Sequence, residues 1–355
     1  MIRIRHVDDE TPRHAGDARR LDPITRAPTE APPIRMRDVL LVPWSDAQGD
    51  ERQFQPVRER PVELGRDLVL VRFDADEVEL LVNACLPRGH YFVAQMQDPF
   101  LYGFERELDP ANYRDRFAWD SDGAIKVALQ LSRLVVDNGY STEFAARVVD
   151  HEDGQKQVVP HVMHLFRFMP TYRLREDRDW LTEEEATELR DLIDAYWASM
   201  DDLPVRVARA LSLSEGVVHT GVLERALVLL MMGVEALLNT NKERVVKQLT
   251  TRMPLVAGEV GVAGISRRYS RRMYDDRSHP AHGQELKLPA VTANSQDDDA
   301  PAAFDADYFA KVARLQDLLR AIVRRAISDP EFADVFRSDN AIRARWPVLV
   351  DGVAY

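Results

Sequence analysis

The segment Glu224-Arg225-Ala226-Leu227-Val228-Leu229-Leu230-Met231-Met232-Gly233-Val234-Glu235-Ala236-Leu237-Leu238-Asn239 constrains the fold most, because apolar side chains occupy almost every face of its helical projection. A helix of this kind has no face to give to water and is expected at the centre of a bundle. Its apolar run, Ala226 to Leu238 interrupted by Gly233 and Glu235, falls short of the ~20 residues that span a bilayer, so protein and not lipid is expected around it. The chain has material for that wrapping: 355 residues, 45% hydrophobic and 30% charged, enough for a sizeable core without staples. Cys85 is the only cysteine, which excludes an internal disulfide framework and a zinc site of clustered thiolates and points to a reducing compartment. His6, Asp8, Asp9 and Glu10 stand where a secretory signal carries its apolar core. A cytoplasmic protein with no membrane anchor is the expectation.

Composition divides the chain. Residues 1–33 mix charges with Pro12, Pro23, Pro28, Pro32 and Pro33, the make-up of a disordered tail. Residues 34–172 read as an α+β domain suited to sensing or recognition. Its β-type runs are Val39 to Val42, Leu68 to Phe73 and Tyr91 to Ala94, and its helices are Asp76 to Leu86 and Ala124 to Val136. A hairpin joins Phe144 to Val149, through Asp153-Gly154, to Val158 to Phe168. His161 and His164 fall on that second strand, where a spacing of three sends side chains to opposite faces, so they are not expected to share a metal. After Pro170 the pattern is helical. Thr182 and Glu185 form a capping-box signature that opens a helix through about Met200. Further helices are expected near 204–214, 220–240, 242–257, 264–281 and 304–328, with a short one near 330–337. The polar stretch Leu288 to Pro301 reads as a loop or insert. Residues 173–340 therefore read as an all-α helical bundle, and 341–355 as a C-terminal tail.

One stretch concentrates charge: Arg267-Arg268-Tyr269-Ser270-Arg271-Arg272-Met273-Tyr274-Asp275-Asp276-Arg277-Ser278-His279-Pro280-Ala281-His282-Gly283 carries five arginines against two aspartates. The whole chain has a net charge of -12, which argues against indiscriminate coating of nucleic acid and leaves room for a local basic site. Arg267, Arg268, Arg271 and Arg272 cover more than one helical face, and a solvated face is their default reading. Glu235 poses a separate question. An ionised carboxylate in so apolar a helix requires either a polar pocket or a buried pairing with an arginine.

Three features agree in order and spacing: the helix end Val234-Glu235-Ala236-Leu237-Leu238, the amphipathic helix that follows, and the close Tyr274-x2-Arg277-Ser278-x3-His282-Gly283. Together they resemble the HEPN superfamily and, within it, the Apea-like branch, over roughly residues 180–330. The resemblance implies a helical bundle that pairs so that two Arg-polar-x3-His motifs face each other across a cleft. It also implies metal-independent endoribonuclease activity of a prokaryotic defence or toxin type, with RNA as substrate, a homodimer or higher even-numbered oligomer, and a protein or phage trigger. A non-catalytic HEPN module that binds RNA or a protein partner as sensor or scaffold is the alternative.

The residue chemistry agrees with cleavage. RNA carries its own nucleophile, the 2′-hydroxyl, so the protein must move protons and stabilise charge on phosphate. Histidine titrates near neutrality, which suits His282 to proton transfer, and arginine presents a planar fork, which suits Arg277 to the scissile phosphate. Ser278 would hold the arginine or the substrate. Glu235, His279 and Tyr274 are supporting candidates, and Arg271 and Arg272 are weaker candidates for substrate contact. No metal or cofactor is called for. On a regular helix residues five apart are rotated by about 140° and displaced by about 7.5 Å, so one motif converges poorly and a second copy would complete the site. Pro280 should kink or end the turn that carries it. The plainest reading of Arg277 is a solvated helix end paired with Asp275 or Asp276.

Overall fold

A computed structural model describes residues 32–41, 61–85, 102–110, 123–137, 145–160, 181–218, 220, 223–281, 300–350 and 353–354. The strand β1 (Pro33–Leu41) alternates Met36 and Leu40 with Arg37 and Val39, so each face of the strand carries its own set of buried side chains. It pairs antiparallel with β4 (Tyr102–Leu108) on one side and β5 (Ala145–His151) on the other. With β2 (Val62–Glu63), β3 (Leu68–Arg72) and β6 (Lys156–Pro160) they make a six-stranded sheet of order β2-β3-β4-β1-β5-β6. Helix α1 (Ala75–Cys85) covers the face bearing Val39, Phe73, Ala146 and Val148, with Leu81 packed among them. Arg37 is buried on that face and bonds to Glu77 at 2.7 Å and Glu105 at 2.8 Å. Burial opposes its charge, but the two carboxylates outweigh burial and raise its pKa.

The opposite face carries Leu40, Leu68, Leu70, Phe104 and Ala145 and packs into the same core as α2 (Ala124–Val135). Helix α2 in turn lies against α3 (Glu183–Ser199) and α8 (Ala300–Ser328). The core therefore runs without interruption from the sheet into the helices, and the regions expected as 34–172 and 173–340 share it.

Around α5 (Leu223–Leu238) stand α4 (Val205–Val218), α6 (Val245–Glu259), α7 (Arg267–Ala281) and α8, the surroundings its all-round apolar surface demands. At Gly233 an added Cβ would sit 2.8 Å from Leu319, so glycine lets α8 approach closely. The last carbonyls of α5 have no helical amides to receive. Arg252, fully buried, donates to the Leu238 carbonyl at 2.7 Å, and Arg206 donates to those of Ala236 and Asn239. Burial first, and then the like charge of Arg343, lower the pKa of Arg252 to about 10.

Several expectations change. Strand β4 escaped the sequence reading because its alternation is Phe104, Arg106 and Leu108 against Glu105 and Glu107, with the acids taken up by Arg35 and Arg37 across the strand pair. The expected C-terminal tail is partly core: after α9 (Pro330–Asp334), helix α10 (Asp339–Arg345) buries Ile342, and Trp346 packs edge-on against Phe332 at 6.2 Å. A two-stranded hairpin of β7 (Leu349–Val350) and β8 (Val353–Ala354) follows. The strand expected at Tyr91 to Ala94, the continuation of β6 to Phe168 with His161 and His164, and the polar stretch before Pro301 lie outside the described residues, apart from Ala300, which opens α8. So does the expected N-terminal tail, except for Pro32 and for Pro33, which begins β1. Among the described residues no helix is long and apolar enough to cross a membrane.

Candidate functional site

Helix α7 opens at Ser266, whose side chain accepts from the Tyr269 amide at 3.1 Å. Tyr269, Ser270 and Met273 then form its buried stripe, and Arg277, four residues beyond Met273, continues that stripe toward the bundle. On α5 the stripe that includes Met231 and Val234 brings Glu235 to the same place. The two meet. Arg277 and Glu235 form a hydrogen-bonded ion pair through Nη2 and Oε1, with side chains 16% and 19% exposed. The Arg277 guanidinium carbon also stands 4.9 Å from the Tyr274 ring centroid, a cation–π contact from the preceding turn. Its Nε is buried and has no acceptor among the described residues.

Glu235 thus has the buried arginine partner that its surroundings require. The pairing of Arg277 with Asp275 or Asp276 does not occur: those carboxylates go back one turn, Asp275 to Arg271 at 2.8 Å and Asp276 to Arg272 at 3.6 Å. Sequence neighbours were the obvious partners for Arg277, but the i,i+4 arrangement pairs them with Arg271 and Arg272 and leaves Arg277 to a tertiary contact. Ser278 is half-buried, and Glu235, not Ser278, holds the arginine. The backbone of α7 runs through His279 and Pro280 to Ala281, so the proline sits within the last helical turn and does not end the helix ahead of itself. The side chain of His279 and the whole of His282 lie outside the described residues. The structure brings together Arg277, Glu235 and Tyr274, places Ser278 one residue on, and leaves Arg271 and Arg272 exposed.

Next to Asp276 the Tyr308 hydroxyl is buried and without a hydrogen-bond partner among the described residues. Burial, with the charges of Asp276 and Glu224, pushes its pKa well above the ordinary 10.0. A cavity of about 670 Å³ lies elsewhere, between α3 and α8, where Arg324 meets Glu188 at 2.6 Å. Its lining is acidic on balance, with Glu183, Glu184, Glu188, Asp191 and Glu259 against Arg324 and Arg325, and it holds none of the residues singled out by the motif. A second depression, of about 560 Å³, lies between the starts of α6 and α7 and adds Arg244 and Lys247 to the arginines of α7. Sequence reasoning missed these two residues because they belong to a different helix. Among the described residues no three His, Cys, Asp or Glu side chains are grouped as metal ligands would be.

No family model, no curated protein and no solved structure matches this chain.

Proposed function

We propose that this protein is a metal-independent endoribonuclease of a prokaryotic defence or toxin type, acting in the cytoplasm, in which Arg277 and His282 of two paired copies work on one RNA linkage. The observation that carries the reading is the state of Arg277. Glu235 and Tyr274 fix its orientation, while its buried Nε has no acceptor among the described residues. A guanidinium held in this way is suited to a phosphate oxygen, because its planar fork is already ordered before the anion arrives. In the reaction the 2′-oxygen attacks phosphorus, the bond to the 5′-oxygen breaks, and a 2′,3′-cyclic phosphate and a 5′-hydroxyl result. His282 takes the 2′-hydroxyl proton or returns one to the leaving oxygen. Arg277 carries the charge that gathers on the phosphate, and Glu235 is a positioning residue that acts through it.

The purified protein is expected to cut single-stranded RNA in the presence of a chelator. Arg277→Ala and His282→Ala are expected to lose at least about a hundredfold in rate, the scale of removing a proton-transfer group or an electrostatic donor. Glu235→Gln should lower kcat with little change in KM, since it disturbs aim more than binding. Cleavage by Arg277→Ala and His282→Ala at the parent's rate removes the proposal. A second reading has its own support: Glu235 offsets the charge of Arg277, and Pro280 occupies the turn just before His282, as in a module that binds RNA or a partner without cutting. RNA binding with no cleavage, with or without a trigger, identifies that case.

A further inference from the structure

The groove between α6 and α7 is lined by Arg244, Lys247, Thr250, Arg267, Arg268 and Arg271, with Val246 as its apolar contribution and no acidic residue. In a chain of net charge -12, five basic side chains around one depression of about 560 Å³ are a strong local departure. Lys247, Arg267 and Arg268 are exposed and form no ion pair among the described residues, and Arg271 is paired with Asp275, one turn on along the same helix. The groove is also built with care. Arg244 is held in the left-handed backbone region at φ 56°, and the turn before it is tied down by Gln248, which donates to the Asn241 side chain and the Glu243 carbonyl, both at 2.8 Å. Such a turn orders the backbone from which Arg244 projects before any ligand binds. Both helices begin here, and the positive ends of their dipoles add to the field.

From this groove one face of α7 leads toward Arg277. Arg267, Arg271, Tyr274 and Ser278 recur at i, i+4, i+7 and i+11 and share a stripe. From Arg271 to Arg277 the helix rises only about 9 Å. Cations followed by an aromatic ring are the pattern that tracks a single-stranded backbone and offers its bases a stacking surface. We propose that the groove binds the sugar-phosphate backbone of single-stranded RNA beside the linkage presented to Arg277. The choice of RNA rests on the ribonuclease reading, but the groove is a separate set of residues with its own test.

The test uses the full chain and a fluorescent single-stranded RNA, with binding followed by anisotropy over a range of salt concentrations. Each phosphate neutralised on a single strand contributes about 0.7 to the slope of log affinity against log salt. The triple variant Lys247→Gln, Arg267→Gln, Arg268→Gln is expected to bind at least about tenfold more weakly at moderate salt, with a slope smaller by about 2. Its fold should persist because the three side chains are exposed and form no ion pair among the described residues, and circular dichroism checks this. An unchanged slope and affinity in the folded triple variant overturns the proposal, as does an acidic peptide that binds the groove more tightly than RNA. The two readings separate cleanly. Groove-dependent binding without cleavage removes the nuclease and keeps the groove, whereas a triple variant that binds and cuts like the parent keeps the nuclease and removes the groove.

Discussion

Arg277 and Tyr308 lie on helices of the same bundle and illustrate two ways a polar group can be buried. Arg277 meets its counter-charge in Glu235, and Tyr308 keeps its proton because burial, with the charges of Asp276 and Glu224, outweighs the opposing pull of Arg272. The need for a partner at Glu235 was legible, since a carboxylate among Leu and Val side chains has few alternatives. The identity of that partner was not, because local pairing with Asp275 or Asp276 and tertiary pairing with Glu235 look alike in a sequence. The tyrosines give a pH prediction. Tyr269 and Tyr308 are both pushed above the ordinary 10.0, chiefly by burial, so an unfolded chain releases their protons at lower pH than the folded one. The stability they contribute is whole below pH 10 and falls as pH rises toward their folded values, by about 1.4 kcal/mol per pH unit for each. Arg252 acts in the other sense: burial lowers its folded pKa to about 10, so stability rises with pH from there toward the ordinary arginine range. Two groups against one leave a net alkaline loss. Tyr308→Phe, whose hydroxyl gives up no hydrogen bond among the described residues, should move the midpoint of alkaline unfolding to higher pH, as followed by circular dichroism. A midpoint that stays in place or falls contradicts the account.

At the scale of elements, legibility follows how local the determining physics is. The start of α3 was readable because a capping box is a four-residue event: Thr182 accepts from the Glu185 amide at 3.3 Å, and the Glu185 side chain accepts from the Thr182 amide at 2.7 Å. Thr182→Ala is expected to cost about 1 kcal/mol in chemical denaturation, with Thr182→Ser close to the parent. Equal stabilities for the alanine and serine variants count against the cap. Strand β4 was not readable, because its place is fixed by cross-strand charges and by a close approach. At Gly103 a Cβ would stand 2.1 Å from the Leu40 carbonyl oxygen, so only glycine lets β4 lie against β1 at that point. The arginines at 267, 268 and 271 read as a solvated face for a similar reason. Their meaning depends on α6, brought alongside by the fold and not by sequence order.

Across the whole molecule the sheet and the bundle share one hydrophobic core, which the change of composition near Pro170 concealed. Leu40, Phe104 and Ala145 from the sheet belong with Leu230, Leu319 and Trp346 from the helices, and α2 joins the two sets. Amide hydrogen exchange should therefore find β1 and α5 opening with the same free energy, as parts of one cooperative unit. A sheet that opens well below the helices contradicts the shared core. On this rigid base Arg277 is aimed by Glu235, and the cationic side of α7 faces outward within an acidic molecule. The most direct test of what that arrangement does is mass spectrometry of the ends produced from single-stranded RNA and from the same sequence in 2′-deoxy form, both in chelator. The account predicts 2′,3′-cyclic phosphate and 5′-hydroxyl ends from the RNA, with the deoxy strand intact. Ends carrying a 3′-hydroxyl, or a deoxy strand cut as readily as RNA, would contradict it, because attack would then come from water and not from the 2′-oxygen.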